Sequence, residues 1–221
     1  MTDCARALTV AFVGFIFNVS MMIMTTLVGF ATNSTMMFVM ASQHLLDALG
    51  DILVMWRFWG DPNDPEVERY DIQGAVIISF LAAVACLYVF TSTIAKLMQE
   101  SHPEFDLFGL IVGCIVLVFS TMLGVIKLLI AQRLNSHTLH LDAITSLFVA
   151  TLALVYIGSE LMLHWVWDIW MFEHIASMVI AFGLLCYALY NLMTSEYDGA
   201  KWYQPAFWMT AKHPLRRGSF D

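Results

Sequence analysis

Charged residues are scarce in this chain of 221 residues, because Asp, Glu, Lys and Arg together make up only 13% of it. Soluble globular domains carry about 25% charged residues, so the composition excludes an ordinary soluble protein. The chain also lacks the patterns of common enzyme sites: it has no nucleotide-binding glycine loop, no nucleophile-elbow pattern and no HExxH motif. We therefore expect neither enzyme activity nor a nucleic-acid partner.

Cysteine pairs are missing as well. The four cysteines are dispersed, none forms a CxxC pair, and three of them lie inside apolar segments (Cys86, Cys114 and Cys186). We expect them to pack as small apolar residues rather than to form disulfides or bind metal.

Apolar sequence is abundant, because hydrophobic residues make up 60% of the chain and fall into six long segments. Each segment is long enough to cross about 30 Å of hydrocarbon at about 1.5 Å per residue. The predicted fold is an all-α membrane protein, with a six-helix transmembrane domain over 1–193 and a short tail over 194–221. A solvated connector is predicted at 59–72, between the second and third spans. The predicted spans are about 7–31, 35–58, 73–97, 106–131, 139–162 and 169–193.

The basic residues predict how these spans are oriented. With the N-terminus in the cytoplasm, nine of the ten basic residues fall on or near the inner side, and only Lys96 falls outside. Cytoplasmic loops are enriched in Lys and Arg, so we expect both termini and the tail to be cytoplasmic. Either the plasma membrane or an intracellular vesicle membrane suits this pattern.

Two acids one helical turn apart, Asp47 and Asp51, interrupt the second apolar segment. A charge at mid-membrane costs several kcal/mol, on the order of 3 kcal/mol on insertion scales, so such residues usually face a cavity and serve a function. Residues at i and i+4 share a helix face, and His44 lies on the same stripe. One imidazole and two carboxylates on one face are metal-ligand chemistry; a hydrogen-bonded network between helices is the structural alternative.

The chain resembles the cation diffusion facilitator superfamily, and within it the transmembrane protein 163 family of zinc efflux proteins. The resemblance rests on LLDALGDIL followed by WRF (45–58), ERYDIQGAVI (68–77), VIKLLIAQRLNSHTLHLDAITSLF (125–148) and FEHIASMVIAF (172–182). It implies a six-helix bundle of that family that transports zinc, although the chain is too short for the large cytoplasmic domain that most members carry.

The resemblance also implies a metal site. Asp47 and Asp51 match the metal-binding pair of the second span, and Asp142 matches an acid one turn before the usual pair of the fifth span. The positions of that fifth-span pair hold Thr145 and Val149, and valine cannot bind a metal. The expected zinc ligands are therefore Asp47, Asp51 and Asp142, completed by His44 or by water.

A proton-coupled export mechanism would follow from such a site. Two close carboxylates resist sharing two negative charges, so one of them is expected to hold a proton that zinc must displace. Four further residues are candidate proton or metal relays, each with an ordinary structural alternative: His137, His140, Glu173 and Lys127. Lys127 would either extend to the bilayer surface or act as a counter-ion to the buried acids.

The sequence is also compatible with three further interpretations. A non-transporting zinc-binding protein that regulates another ion transporter or channel is the alternative function. Methionines at the outer ends of the first two spans, such as Met36, Met37 and Met40, would suit Cu(I) but are also ordinary core residues. Family analogy suggests a homodimer in the lipid bilayer, and Gly109, Gly113 and Ala82 would allow two helices to approach closely.

Overall fold

Six long helices make up most of the part of the chain that the structure describes. The computed structural model describes residues 3–32, 34–59, 67–99, 106–165, 170–197 and 199–208. The six helices are α1 (Asp3–Thr32), α2 (Thr35–Trp59), α3 (Val67–Met98), α4 (Leu107–Leu134), α5 (His137–Trp165) and α6 (Trp170–Thr194). Each of the six is long and apolar enough to cross a membrane. The prediction of an all-α membrane protein with six transmembrane helices is confirmed.

The helices begin and end where side chains satisfy their free backbone groups. Asp106 accepts hydrogen bonds from the backbone N–H groups of Phe108 and Gly109 at the start of α4, as N-cap residues do. Asn135 ends α4 in the left-handed conformation, with φ of 49°, which asparagine tolerates better than most residues. Polar residues also extend α3, which begins at Val67 rather than at the predicted residue 73.

α2 and α5 form the centre of the bundle. In an apolar stretch of 18 residues within each helix, 61% of the residues of α2 and 56% of those of α5 are buried, compared with 22–44% in the other four helices. α1 packs mainly on α2, α4 on α5, and α3 on α6, while α2 and α5 also contact each other. The outer helices expose large apolar side chains such as Phe12, Phe30 and Phe182, as a surface in contact with lipid requires.

Small residues and methionines fill the interior of the bundle. Gly109 and Gly113, which the sequence suggested for contact with a second chain, face Tyr156 of the same chain. The two glycines therefore allow α4 to approach α5 of the same chain closely, and the homodimer stays a prediction. Met36 and Met37 are fully buried in the apolar core cluster with Tyr156, which is the packing role that methionine commonly has.

A short segment after α6 folds back onto the bundle. It contains β1 (Glu196–Tyr197), β2 (Ala200–Lys201) and α7 (Pro205–Trp208), and the two strands pair antiparallel. Phe207 packs against Val76 and Leu192, and its carbonyl accepts hydrogen bonds from Arg69 and Gln73 at 3.3 and 2.8 Å. Part of the predicted tail is therefore folded structure, while its basic end, 209–221, lies outside the described residues.

The bundle has one end rich in basic residues, which we call the basic end. Arg57 lies in the last turn of α2, Arg133 in the last turn of α4, Arg69 near the start of α3 and Lys201 in β2. Lys96, in the last turn of α3, lies at the opposite end.

Candidate cation site

Two acids from the central helices meet around a single lysine, and we call these three residues the buried ionic cluster. Lys127 Nζ of α4 lies 2.7 Å from Asp51 Oδ1 of α2 and 2.8 Å from Asp142 Oδ2 of α5. The side chains of all three residues have no exposed surface. Buried charges persist in proteins when they are paired. Lys127 thus lies among the buried acids and does not extend to the bilayer surface.

A polar chain continues from Asp51 to His44. Asn18 of α1 donates a hydrogen bond from Nδ2 to Asp51 Oδ2 at 2.9 Å, and its Oδ1 lies 3.0 Å from His44 Nδ1. Because the amide oxygen can only accept, His44 donates from Nδ1. His44 Nε2 then carries a lone pair, and it makes no hydrogen bond with the described residues.

Asp47 lies one turn before Asp51 on the same helix and is 1% exposed. Its carboxylate is close to Thr145 and Ser146 of α5 and close enough to Lys127 and Asp142 for electrostatic interaction. Asp47 Oδ1 accepts no hydrogen bond within the described part of the chain. The acid pair of α2 therefore points into the same interhelical space as the buried ionic cluster.

On α5 the carboxylate of Asp142 lies one turn before the two positions, Thr145 and Val149, where the resemblance implies metal ligands. The Thr145 hydroxyl donates to the backbone carbonyl of Asp142 at 2.9 Å, and the Ser146 hydroxyl donates to the same carbonyl at 3.1 Å. Val149 is fully buried in the apolar core cluster. α5 thus brings one carboxylate, Asp142, to the cluster and no ligand from Val149.

Two glycines make the close approach of the helices possible. A Cβ atom added at Gly50 of α2 would lie 2.6 Å from Asp142 Oδ1, and one added at Gly14 of α1 would lie 2.8 Å from both carboxylate oxygens of Asp51. Any other residue at either position would have to displace a carboxylate or separate two helices.

Sequence reasoning missed three contributors to this site: Gly14, Gly50 and Asn18. The available signals were an amide side chain within an apolar segment and glycines inside helices. Neither signal says which residue on another helix will be the partner.

Two of the other candidate relay residues, His137 and His140, lie apart from the buried ionic cluster. His137 is exposed and His140 is half-buried at the basic end, where both line a cavity of about 170 Å³ with Tyr187, Asn191 and Glu196. Glu173 is in the first turn of α6, and its side chain lies outside the described residues. The structure therefore brings Asp51, Asp142 and Lys127 together and does not bring His137 or His140 into contact with them.

A second polar cluster, centred on Asp71, joins three helices at the basic end. Asp71 accepts hydrogen bonds from the Ser136 hydroxyl at 2.6 Å and from the His137 backbone N–H. The Thr138 hydroxyl donates to the Asp71 carbonyl, and Arg57 Nε lies 3.4 Å from Asp71 Oδ1. Asp71 thus caps α5 and links it to α2 and α3, on the side of the bundle nearest the buried ionic cluster.

The buried ionic cluster is an arrangement that holds a cation. Asp51 and Asp142 direct one oxygen each at the same positively charged atom, and both residues are enclosed by packed helices. Across the described residues, no group of three or more His, Cys, Asp and Glu side chains is arranged to hold a metal ion. A metal bound here would therefore need to replace the lysine and draw a further ligand inward.

Comparison with known proteins agrees with this architecture. A family model described as the cation efflux transmembrane domain matches residues 11–197. The match begins in α1, covers the other five transmembrane helices and includes every residue of the buried ionic cluster.

Proposed function

The chain belongs to the cation efflux family, whose members transport divalent cations, and on this premise we propose that it exports zinc from the cytoplasm by alternating access. The observation that carries the proposal is the meeting of Asp51 and Asp142 across the two central helices around a single cation. Ionised carboxylates inside membrane-spanning helices cost free energy unless they are paired or bind a ligand. Members of the family are transporters rather than enzymes.

The proposed zinc ligands are Asp47, Asp51, Asp142 and His44. Zinc accepts carboxylate oxygen and imidazole nitrogen at about 2.0–2.2 Å, usually in a tetrahedral arrangement. His44 Nε2 is suited to this role because Nδ1 is already engaged with Asn18, which is how a neighbouring hydrogen bond orients a metal-binding histidine. Water completes the coordination where a side chain does not reach.

Proton coupling follows from the chemistry of these ligands. Carboxylates bind zinc in the deprotonated form, so zinc and protons compete for the same oxygens. A rocking of helices that opens the site to one side at a time would then exchange metal for protons. His137 and His140, which line the cavity at the basic end, are the proposed path between the site and the cytoplasm, and Glu173 is proposed to serve the opposite side.

The finer assignments are also proposals. The run Leu45–Leu53 with two acids, followed by Trp56 and Arg57, supports placement near the transmembrane protein 163 family. The basic end is proposed to face the cytoplasm because membrane proteins concentrate Lys and Arg there. A homodimer in the plasma membrane or a vesicle membrane remains the assembly that family analogy favours.

Zinc flux in proteoliposomes tests the proposal. Asp51→Asn and Asp142→Asn each remove one carboxylate while keeping the shape of the side chain, and we expect zinc flux to fall to the level of empty vesicles. Asp106→Asn is the matched control, because Asp106 only caps α4 and asparagine caps a helix equally well. Full flux in both site variants would refute the proposed site. A proton flux that continues unchanged when zinc transport stops would refute the coupling.

A second function, a zinc-binding regulator of another ion transporter or channel, is favoured by two observations. Valine occupies a position where the family normally supplies a ligand, and Lys127 already engages two of the acids. A regulator would show zinc binding that depends on Asp51 and Asp142 together with no flux in the unaltered protein. Flux that depends on these acids would exclude a purely regulatory role.

A further inference from the structure

Lys127 lies where a transported cation would have to bind. Its Nζ is within 2.8 Å of one oxygen of each acid. A zinc ion bound to the same two oxygens would be closer still, at about 2.0–2.2 Å. The two cations cannot share this space, because their atoms would overlap and their like charges would repel each other at short range. Binding of a metal by Asp51 and Asp142 therefore requires the ammonium group to move away.

Release of the metal raises the opposite problem. The carboxylates of Asp47, Asp51 and Asp142 are enclosed, and buried carboxylates without a counter-charge strongly disfavour a closed, water-free state. A carrier that returns without metal must pass through such a state with its carboxylates neutralised by protons, by a fixed cation or by both. The Lys127 ammonium is available at each turnover because it is attached to α4 by its own side chain.

A neutral hydrogen-bond acceptor beside Lys127 would let the ammonium group move away from the carboxylates. The hydroxyl of Ser146 lies 3.4 Å from Nζ and offers it an uncharged hydrogen-bond acceptor beside the two carboxylates. Lysine also carries a flexible four-carbon stem. A small rotation can therefore take the ammonium from the carboxylates while it keeps a hydrogen-bond acceptor.

We propose that Lys127 is a tethered cation that competes with the transported metal for Asp51 and Asp142 and replaces it while the empty carrier returns. This inference rests on the proposed transport function and deepens it. It makes Lys127 a positioning residue that sets metal affinity and the rate of return, and not a ligand of the metal. Loss of the charge should strengthen metal binding and slow net transport. If Lys127 were only structural, its loss would lower both metal affinity and net transport.

The test compares Lys127→Met and Lys127→Gln with the unaltered protein, using zinc as the probe. Met removes the charge and keeps an unbranched side chain only one atom shorter. Gln also removes the charge but can still donate hydrogen bonds, so it is the second variant in case the first does not fold. We expect either variant to bind zinc at least about tenfold more tightly, as the loss of one competing contact charge implies. Lys127→Arg, which keeps the charge, should bind zinc more weakly than both neutral variants.

Two transport modes provide a readout that a structural role would not change selectively. Exchange of zinc across the vesicle membrane, with zinc on both sides, does not require the empty carrier to return, whereas net zinc flux does. The neutral variants should keep exchange and lose net flux by at least about tenfold. Lys96→Met is the control that should alter neither mode, because Lys96 lies in the last turn of α3, at the end of the bundle opposite the basic end.

The outcomes separate this inference from the function on which it rests. Zinc binding by the unaltered protein that is unchanged in an Asp51→Asn/Asp142→Asn variant would overturn both the site and the role of Lys127. Binding that depends on these acids, together with folded neutral variants whose zinc affinity is unchanged or weaker, would overturn the role of Lys127 alone. Equal loss of exchange and net flux in the neutral variants would also overturn it.

Discussion

Gly50 leaves the space that Asp142 occupies, so the substitution Gly50→Ala tests how tightly the candidate site is built. The added Cβ would lie 2.6 Å from Asp142 Oδ1, whereas an ordinary contact begins near 3.4 Å. The carboxylate or the helix must therefore shift by about 0.8 Å, since packed interiors absorb extra atoms only by such movements. Asp142 cannot rotate freely away, because Lys127 holds its other oxygen at 2.8 Å.

A shift of this size is large for a metal site. Ligand distances in such sites hold to within about 0.2 Å, and disturbing the groups that orient ligands commonly lowers affinity by about 10- to 100-fold. We expect Gly50→Ala to lower zinc affinity by that factor, and zinc flux at low zinc concentration to fall in parallel. The measurements are equilibrium zinc binding in detergent and initial flux into proteoliposomes.

Gly183→Ala is the matched control, because a Cβ added at Gly183 of α6 meets nothing within 4 Å. Both substitutions replace a helical glycine and should gain about the same helix propensity, roughly 1 kcal/mol. A difference between them therefore reports the contact with Asp142. Zinc affinity and flux of Gly50→Ala equal to those of Gly183→Ala would refute the reasoning that this glycine maintains the site.

Two further predictions concern the basic end. Asp71→Ala removes the acceptor for Ser136 and for the first backbone N–H group of α5, so the free energy of unfolding should fall by about 2–3 kcal/mol. Thermal unfolding in detergent measures this loss, which should be smaller in Asp71→Asn. An unchanged unfolding midpoint in the alanine variant would contradict the capping role. Phe207→Ala removes a buried side chain that holds the segment after α6 against the bundle, at a cost of about 3 kcal/mol or more. Limited proteolysis should then cut this segment faster than in the control Tyr203→Ala, because the Tyr203 side chain is already 68% exposed. Equal rates of cutting in the two variants would rule out Phe207 as the anchor.

The family and the site differ in how far the sequence predicted them. The superfamily resemblance inferred from the motifs around Asp47 and Asp51 is confirmed by the match of residues 11–197 to the cation efflux transmembrane domain. The assignment of Asp47, Asp51, Asp142 and His44 as metal ligands stays a prediction. The structure adds geometry to that prediction: all four side chains are buried, and Asp51 and Asp142 share one cationic partner.

Some interpretations could not be made from the sequence because two environments suited the same residue. Lys127 lies seven residues before the end of α4, so its side chain can either extend to the bilayer surface or turn into the bundle. Its sequence neighbours are apolar and are compatible with either direction. Its direction depends on whether acids on α2 and α5 lie within reach. The glycine pair Gly109 and Gly113 was ambiguous in the same way, since the partner helix could belong to this chain or to another.

Local sequence was enough to predict six transmembrane helices and two acids on one face of the second. Membrane-spanning segments must be apolar and helical, and residues four positions apart lie on the same face of a helix. The tertiary structure decided which polar groups meet. Asn18 reaches Asp51 across 33 positions of sequence, and Asp71 reaches the start of α5 across 66. Such pairings depend on how helices pack side by side, and Gly14 and Gly50 acquire their role only where another helix comes close. Hydropathy does not encode these contacts, because it describes each helix against lipid and not against its neighbours.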